Sequence, residues 1–442
     1  VRLVGTGRAW SRTGRGAALL GLFGLALAVR SLHAADLGPL VGTPDEPAIR
    51  MSHRYEAQAR DIQAGAGILF PRDANPRDTG PIARPPGYAL FLAGVYTTFG
   101  REGAKWQRAQ NLLDSLAPVL LFLLGEALLG PAVGLASGLI FALTPHFAYY
   151  ANVRLPDEPC VVLVLAGMLC VILGRGRRAA LGWHALGGLA FGLSTWLRPN
   201  TLALAAFMAL GLLALEPWPA AKWRALVLAG TAAVVVAPIT LRNYLVYDAF
   251  VPVSTNMGIV LWEGIADAGG ARFGAFSADR EVARDEARLF GDPRYREWWA
   301  SPDGVARDRF RVRRALAVIR DNPLWFGRAM LARMGQMLDY PGNAPPLVAA
   351  TSRLRALVRA VQLGLTGLLL LAVAAGIGLV GLLAPRRALL LGIVPFAYLV
   401  LQAPMHLEFR VTLPMHALLA LFAGAAAVAT VSLARAPLRT AR

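Results

Sequence analysis

Two adjacent carboxylates, Asp45-Glu46, lie a short way beyond the end of an apolar segment, and a fixed cation, Arg84, closes the polar stretch that follows in the tract Ile82-Ala83-Arg84-Pro85-Pro86. A second acid pair occurs in Arg154-Leu155-Pro156-Asp157-Glu158-Pro159. Further charges stand at the ends of apolar runs: Arg198 in Trp196-Leu197-Arg198-Pro199-Asn200, Arg242 in Leu241-Arg242-Asn243-Tyr244, and His406, Glu408 and Arg410 in Met405-His406-Leu407-Glu408-Phe409-Arg410. A carboxylate can take the proton from an acceptor hydroxyl as general base. Arginines can grip a phosphate in a bidentate fork and stabilise its growing charge as a bond to it breaks. Together these residue types suit transfer from a phosphate-linked donor. Charges at helix ends are commonly no more than solvated or snorkelling to headgroups. Two acid pairs, each following a Pro at a turn between apolar runs, are harder to assign to solvation alone.

The elements that must position these residues are apolar. Of 442 residues, 56% are hydrophobic and 16% charged, and the mean hydropathy is +0.49. Eleven apolar runs, near 16–34, 85–100, 107–129, 131–150, 157–174, 181–197, 200–216, 224–241, 357–383, 388–403 and 411–432, read as membrane helices. A span needs about 20 such residues to cross a core of about 30 Å. The expected class is an all-α polytopic membrane protein. The net charge of +18 comes almost entirely from Arg, with Lys105 and Lys222 the only lysines. Orientation across a bilayer accounts for it better than nucleic-acid binding, because no basic-aromatic module is present. Cys160 and Cys170 share one expected helix, where ten residues separate them by about 15 Å, too far to bridge. Arg8, Arg12 and Arg15 precede the first run, which reads as a retained signal-anchor.

Placing the clusters Arg8/Arg12/Arg15, Arg175/Arg177/Arg178, Lys222/Arg224, Arg386/Arg387 and Arg435/Arg439/Arg442 on the cytoplasmic side leaves 35–84, 151–156, 198–199, 242–356 and 404–410 outside. All the residues of the opening set then share one face. Parity requires an even number of crossings between Arg84 and Asp157, where the sequence offers three runs. The shortest, 85–100, flanked by Arg101, Glu102, Lys105 and Arg108, therefore reads as tilted, partial or joined to the next, which gives ten full crossings. The organisation expected is a transmembrane catalytic module over 1–245 with a first outer loop at 35–84, an outer region over 246–356, and C-terminal helices with a basic tail over 357–442. The first loop holds a short helix around Tyr55–Ile62. The outer region carries the pair Trp298-Trp299 and a basic helix near 305–320, and suits a position against the headgroups.

Several of these segments carry a resemblance. Ala237-Pro238-Ile239-Thr240-Leu241-Arg242-Asn243-Tyr244, continuing through Phe250-Val251-Pro252-Val253-Ser254-Thr255-Asn256-Met257-Gly258, resembles a segment of the bacterial protein O-mannosyltransferase and aminoarabinose transferase family, membrane glycosyltransferases of the GT-C fold. Arg84-Pro85-Pro86-Gly87-Tyr88, the acid pair Asp45-Glu46, Arg198-Pro199 and Arg410 also fall where that family places similar features, and the likeness runs from about 16 to 430. The resemblance implies a GT-C-like helical fold with periplasmic loops in a bacterial inner membrane. It implies an inverting glycosyltransferase that moves a sugar from a polyprenyl-phosphate donor to a hydroxyl of a lipid, glycan or protein acceptor. Asp45 would be the catalytic base with Glu46 as its partner. Asp157, with Glu158, would contact sugar or acceptor, and Arg84, Arg242, Arg410 and Arg198 would hold the lipid phosphate. Relatives often have Tyr after the last outer Arg, where this chain has Val411, and the first loop carries further cations at Arg50, Arg54, Arg60, Arg72 and Arg77. Metal-assisted members of the superfamily leave a divalent ion beside the acids open, although no metal-ligand spacing is evident and lone histidines such as His53 and His406 are more often structural.

Two other classes compete. A transporter of lipid or sugar would place ionisable residues at mid-membrane depth, whereas the apolar runs hold few, among them Asp114, Glu126 and His184. A lipid-linked glycan polymerase or ligase would use the same donors but lack the first-loop acid pair. A P-loop, His-Glu-x-x-His and Gly-x-Ser-x-Gly are all missing from the sequence.

Overall fold

Each apolar run of the sequence is helical in the computed structural model, which describes residues 11–69, 75, 77–101, 105–175, 180–345 and 353–435. Arg8, Arg72, Glu102, Arg177, Arg178, Arg439 and Arg442 lie outside the described residues. The chain opens with α1 (Arg12–Leu37), the first-loop helix α2 (Ile49–Gln63), α3 (Gly87–Phe99), α4 (Lys105–Asp114), α5 (Ala117–Leu128), α6 (Pro131–Leu143) and α7 (Pro145–Tyr150). It continues through α8 (Asp157–Gly174), α9 (Ala180–Leu197), α10 (Leu204–Leu215) and α11 (Ala220–Tyr247). The outer region contains α12 (Met257–Asp267), α13 (Asp279–Leu289), α14 (Gly304–Asp321) and α15 (Pro323–Met337), and the chain returns to the bundle with α16 (Arg353–Leu383), α17 (Pro385–Gln402) and α18 (Leu413–Arg435). Among the described residues there is no β-strand, only an isolated bridge between Trp298 and Ser301.

Among the described residues, six segments are long and apolar enough to cross a bilayer alone: Arg12–Leu40, Lys105–Leu128, Asp157–Gly174, Ala220–Tyr247, Arg353–Leu383 and Phe409–Ala434. The helix within the run 85–100 has 13 residues, about 20 Å at 1.5 Å per residue and short of a core of about 30 Å. Two runs that read as continuous are broken. Pro118 and Pro145 sit in the first turns of α5 and α7, where the missing N–H does no harm while the ring disfavours helix in the residues just before it.

Small residues let the bundle close. A Cβ on Gly125 of α5 would lie 2.5 Å from the Cα of Gly134 on α6, and one on Gly376 of α16 would collide with the Phe422 carbonyl of α18. Close approach of this kind drives helix association where lipid supplies no hydrophobic force. The tightest pairings are α9 with α8 and α11, α5 with α6, and α18 with α16 and α6. Pro238 interrupts the hydrogen-bond ladder of α11, and the Trp196 indole of α9 donates to the nearby Val235 carbonyl at 2.8 Å.

The outer region has a core of its own. Trp262, Ile265, Val282, Trp299, Ala315 and Phe326 are buried together. Beside them Glu286 accepts from Arg307 Nε at 2.7 Å and Arg311 Nε at 2.6 Å, all three side chains being about 1% exposed. This region is stitched to the first loop. Asp303 N donates to Arg77 O at 3.0 Å, Thr255 N to Ile82 O at 3.0 Å and Gly304 N to Thr79 Oγ1 at 2.7 Å. Arg54 of α2 stacks on Trp298, 3.6 Å from the ring centroid.

Candidate active site

The first-loop acids have divided environments. Asp45 is exposed, and its side chain makes no hydrogen bond among the described residues; its backbone N–H donates to Thr43 Oγ1 at 3.3 Å. Glu46 is buried and fixed. Its carboxylate accepts from Gly42 N at 2.7 Å and receives Arg154 Nη2 on both oxygens at 2.9 Å. The other arm of Arg154 reaches Glu56 of α2 at 2.6 Å. Burial alone would lower the Arg154 pKa, but Glu46 and Glu56 outweigh it and hold the guanidinium charged. Arg154 thus clamps the turn that carries Asp45 to the loop before α8.

The second group gathers around the start of α8. The Asp157 carboxylate, at the N-terminus of α8 where the helix dipole favours an anion, forms an ion pair with Arg198 from the end of α9. Glu408 pairs with Arg410, whose Nη2 also lies 3.1 Å from Met51 Sδ on α2. Burial raises the Glu408 pKa, but Arg410 and Arg198 bring it below the ordinary value, so it is ionised. Arg84 lies 5.3 Å from the centroid of Tyr55 on α2. Partial enclosure and the Arg84 guanidinium bring Arg54 down to about 10. Asp279 offsets part of that shift.

Two expected site residues are placed differently. Glu158, one residue from Asp157, is fully enclosed and points into the bundle, where Arg30 of α1 donates to it at 2.9 Å; both side chains are 0% exposed. Asp114 of α4 is buried nearby, with neither carboxylate oxygen paired among the described residues. Arg242 is 1% exposed, donates from Nε to Asn243 Oδ1 at 2.7 Å, and contacts Leu69 O at 3.5 Å. Asn243 in turn donates to Val251 O and Val253 O, and Thr240 to Pro252 O. Arg242 therefore stands behind the Phe250–Met257 strip rather than on its open side.

That strip walls a cavity of about 470 Å³. Phe250, Val251, Pro252, Val253 and Met257 make one side apolar, while Arg198, Asn200, Asp308 and Glu408 make the rest polar. Asp45, Arg84, Asp157 and Arg242 are not among its lining residues. Buried guanidinium nitrogens without a partner occur on Arg84, Arg198 and Arg242, but also on Arg30, Arg154 and Arg311, so an orphan nitrogen alone does not mark a ligand. Among the described residues no group of three or more His, Cys, Asp or Glu converges to hold a metal. Glu46 and Asp157 are each already bound to an arginine. With these carboxylates committed to arginines, the donor set does not fit a divalent ion.

Arg154 and Arg30 are the residues that sequence reasoning passed over. Arg154 stood in the acid motif as context only. Arg30 is a lone arginine inside the first apolar run, which by itself marks a buried partner.

A family model described as dolichyl-phosphate-mannose-protein mannosyltransferase matches residues 83–241, a stretch that contains Arg84, Asp157 and Arg198. No curated protein matches the sequence. The apo oligosaccharyltransferase of Archaeoglobus fulgidus superposes with a TM-score of 0.56 at 13% identity, over 97% of this chain and 52% of that one. The same enzyme in complex with an inhibitory peptide and a dolichol-phosphate gives 0.52 at 14% identity, over 98% and 52%. The chain has the GT-C fold. Its GT-C fold spans about half the length of the archaeal structures it matches. ArnT from Cupriavidus metallidurans bound to undecaprenyl phosphate is a more distant likeness, with a TM-score of 0.43 at 16% identity over 94% and 78%.

Proposed function

We propose that the chain is a glycosyltransferase that moves a sugar from a polyprenyl-phosphate donor to an acceptor hydroxyl at the outer membrane face. The observation that carries this reading is the cavity of about 470 Å³, apolar along Phe250–Val253 and at Met257, polar at Ser254, Thr255 and Asn256, and charged at Arg198 and Glu408. A lipid bearing a phosphate has the same division. The archaeal structure of like fold that was solved with a dolichol-phosphate supports it further. Arg198, Arg410 and Arg84 are assigned to the phosphate, Arg242 to bracing the cavity wall from behind through Asn243, and Asp157 to the sugar or acceptor with Arg198 holding it in place. Glu158 supports Asp157 from within the bundle through Arg30.

In the proposed step Asp45 accepts the proton of the acceptor hydroxyl. The oxygen attacks the anomeric carbon from the side opposite the phosphate, the bond from that carbon to the phosphate oxygen breaks, and the lipid phosphate leaves with one more negative charge. Arginines stabilise that developing charge, and the anomeric centre inverts. Glu46, locked by Arg154, fixes the turn on which Asp45 stands. The test is Asp45→Asn in proteoliposomes supplied with a polyprenyl-phosphate sugar and a cell-envelope acceptor extract. The variant inserts and binds lipid phosphate as the parent does but loses transfer by at least a hundredfold. Retained turnover would remove Asp45 from the role of base.

A further inference from the structure

A second cleft, of about 760 Å³, shares His406 as a lining residue with the cavity of about 470 Å³ assigned to the lipid. One face of α15 forms its floor. Trp325, Arg328, Ala329, Ala332 and Gln336 recur at three- and four-residue intervals along that helix and all line the cleft, as residues on a single helical stripe must. The opposite wall is the Asp267-His406 pair, joined at 2.5 Å, and Asp339 and Asn343 close one end.

The cleft is built rather than incidental. Arg333, 4% exposed, extends from α15 to the Gly264 carbonyl of α12 and to the Ala403 carbonyl at 2.8 Å, so three chain segments are tied at its base. His406 N donates to Val260 O at 2.7 Å and fixes the shared wall. Trp325 is steadied by Phe273, edge-on at a centroid distance of 5.1 Å, and by Arg272, 5.3 Å from its ring. The two alanines leave the middle of the floor open, with an aromatic plane at one end and amide and carboxylate groups at the other.

We infer that this cleft receives the acceptor, and that the acceptor is a glycan. The inference rests on the glycosyltransferase reading, since it assigns the second substrate of the same reaction. Three features select the chemistry. The lining is too polar for an acyl chain. Its acids and cations are mixed, with the Asp267 carboxylate committed to His406 and the Arg333 guanidinium to two carbonyls, so it offers no single-sign field for a polyanion. A flat indole beside donors and acceptors of both kinds suits a pyranose ring, whose C–H face is apolar and whose rim carries hydroxyls. The volume lies within the range of small-molecule sites, about 300–1,000 Å³. The wall at His406, two residues from Glu408, brings an acceptor hydroxyl to the edge of the lipid cavity.

Ala332→Trp fills the floor from a position that the lipid cavity does not touch. Saturation-transfer NMR on the full chain in detergent, with a panel of neutral oligosaccharides, measures occupancy of the cleft, and a titration with farnesyl phosphate measures the lipid cavity. The expected result is saturation transfer to at least one oligosaccharide, weakened at least tenfold by Ala332→Trp and by Trp325→Ala, with farnesyl phosphate affinity unchanged in both. Oligosaccharide binding unaffected by Ala332→Trp would overturn the assignment. So would binding of a serine/threonine peptide, sensitive to Ala332→Trp, with no oligosaccharide bound. Failure of farnesyl phosphate to bind the parent chain would instead strike the glycosyltransferase reading, which separates the two failures.

Discussion

Replacing Arg154 with Met keeps an unbranched apolar stem and removes the guanidinium fork that holds Glu46 and Glu56. An exposed ion pair contributes about 0.2–1 kcal/mol, and breaking a buried one by removing a single partner costs about 3–5 kcal/mol. The side chains of Arg154 and Glu46 are 5% and 3% exposed, which places this pair in the second regime; Glu56, at 19%, adds less. Every 1.4 kcal/mol is about tenfold in an equilibrium constant, so local opening of the turn should rise between about a hundredfold and a few thousandfold. The reporters are in the turn itself. Gly42 N donates to the Glu46 carboxylate, Glu46 N to Thr43 O and Ile49 N to Glu46 O, and hydrogen exchange read by mass spectrometry over these amides gives the opening constant directly. On the proposed mechanism kcat falls as well, because a misplacement of about 1 Å can cost about a hundredfold, while KM for the donor changes little. Glu46→Gln combined with Arg154→Met should lose less than the sum of the two single losses, with a coupling of about 0.5–3 kcal/mol. Unchanged exchange in Arg154→Met, or strictly additive losses in the double variant, would refute the clamp.

Two further outcomes follow from the same geometry. Arg198→Ala should weaken farnesyl phosphate binding at least tenfold, since Arg198 lines the cavity. Arg242→Ala should lower the unfolding temperature and weaken donor binding more than acceptor binding, because Arg242 supports the Phe250–Met257 wall through Asn243; a donor affinity unchanged in Arg242→Ala would detach it from the lipid site. Glu263, buried in α12 with Asp279 and Asp267 nearby, is pushed up to about 10 by that burial and those neighbouring acids. Its folded value is raised, so the stability it contributes is complete below the ordinary carboxylate range, about pH 4.3, and is lost as pH climbs toward 10. Glu263→Gln should therefore raise the melting temperature at pH 8–9 relative to the parent and change it little at pH 4. An equal shift at both pH values would count against a protonated Glu263.

Much of the fold was legible without coordinates. Apolar runs of membrane length dictate helices because no other backbone arrangement apart from a closed barrel satisfies its own hydrogen bonds in lipid, and each run is helical here. The charge pattern drew the acids and arginines to one face, and the structure brings Asp157, Arg198, Glu408 and Arg410 into one neighbourhood with α2. Adjacent letters were less informative. Asp45 and Glu46 read as one pair, as did Asp157 and Glu158, yet in each pair the second acid is buried against an arginine from another part of the chain. Arg154 is 108 residues from Glu46, and Arg30 is 128 residues from Glu158. Periodicity and composition register what a residue does to its own helix. They carry no record of which distant side chain neutralises a charge once both have left water.

The sequence by itself therefore determined the class of this protein: helical, membrane-embedded, with its ionisable residues concentrated at segment ends. Hydropathy and charge are properties of local composition, and a bilayer acts on them segment by segment. Only the tertiary structure decided that Asp45 stays exposed while Glu46, Asp157 and Glu158 are each buried against an arginine, and that two clefts meet at His406. Those outcomes depend on contacts between segments far apart in the chain, where packing geometry and the cost of an unpaired buried charge select one arrangement.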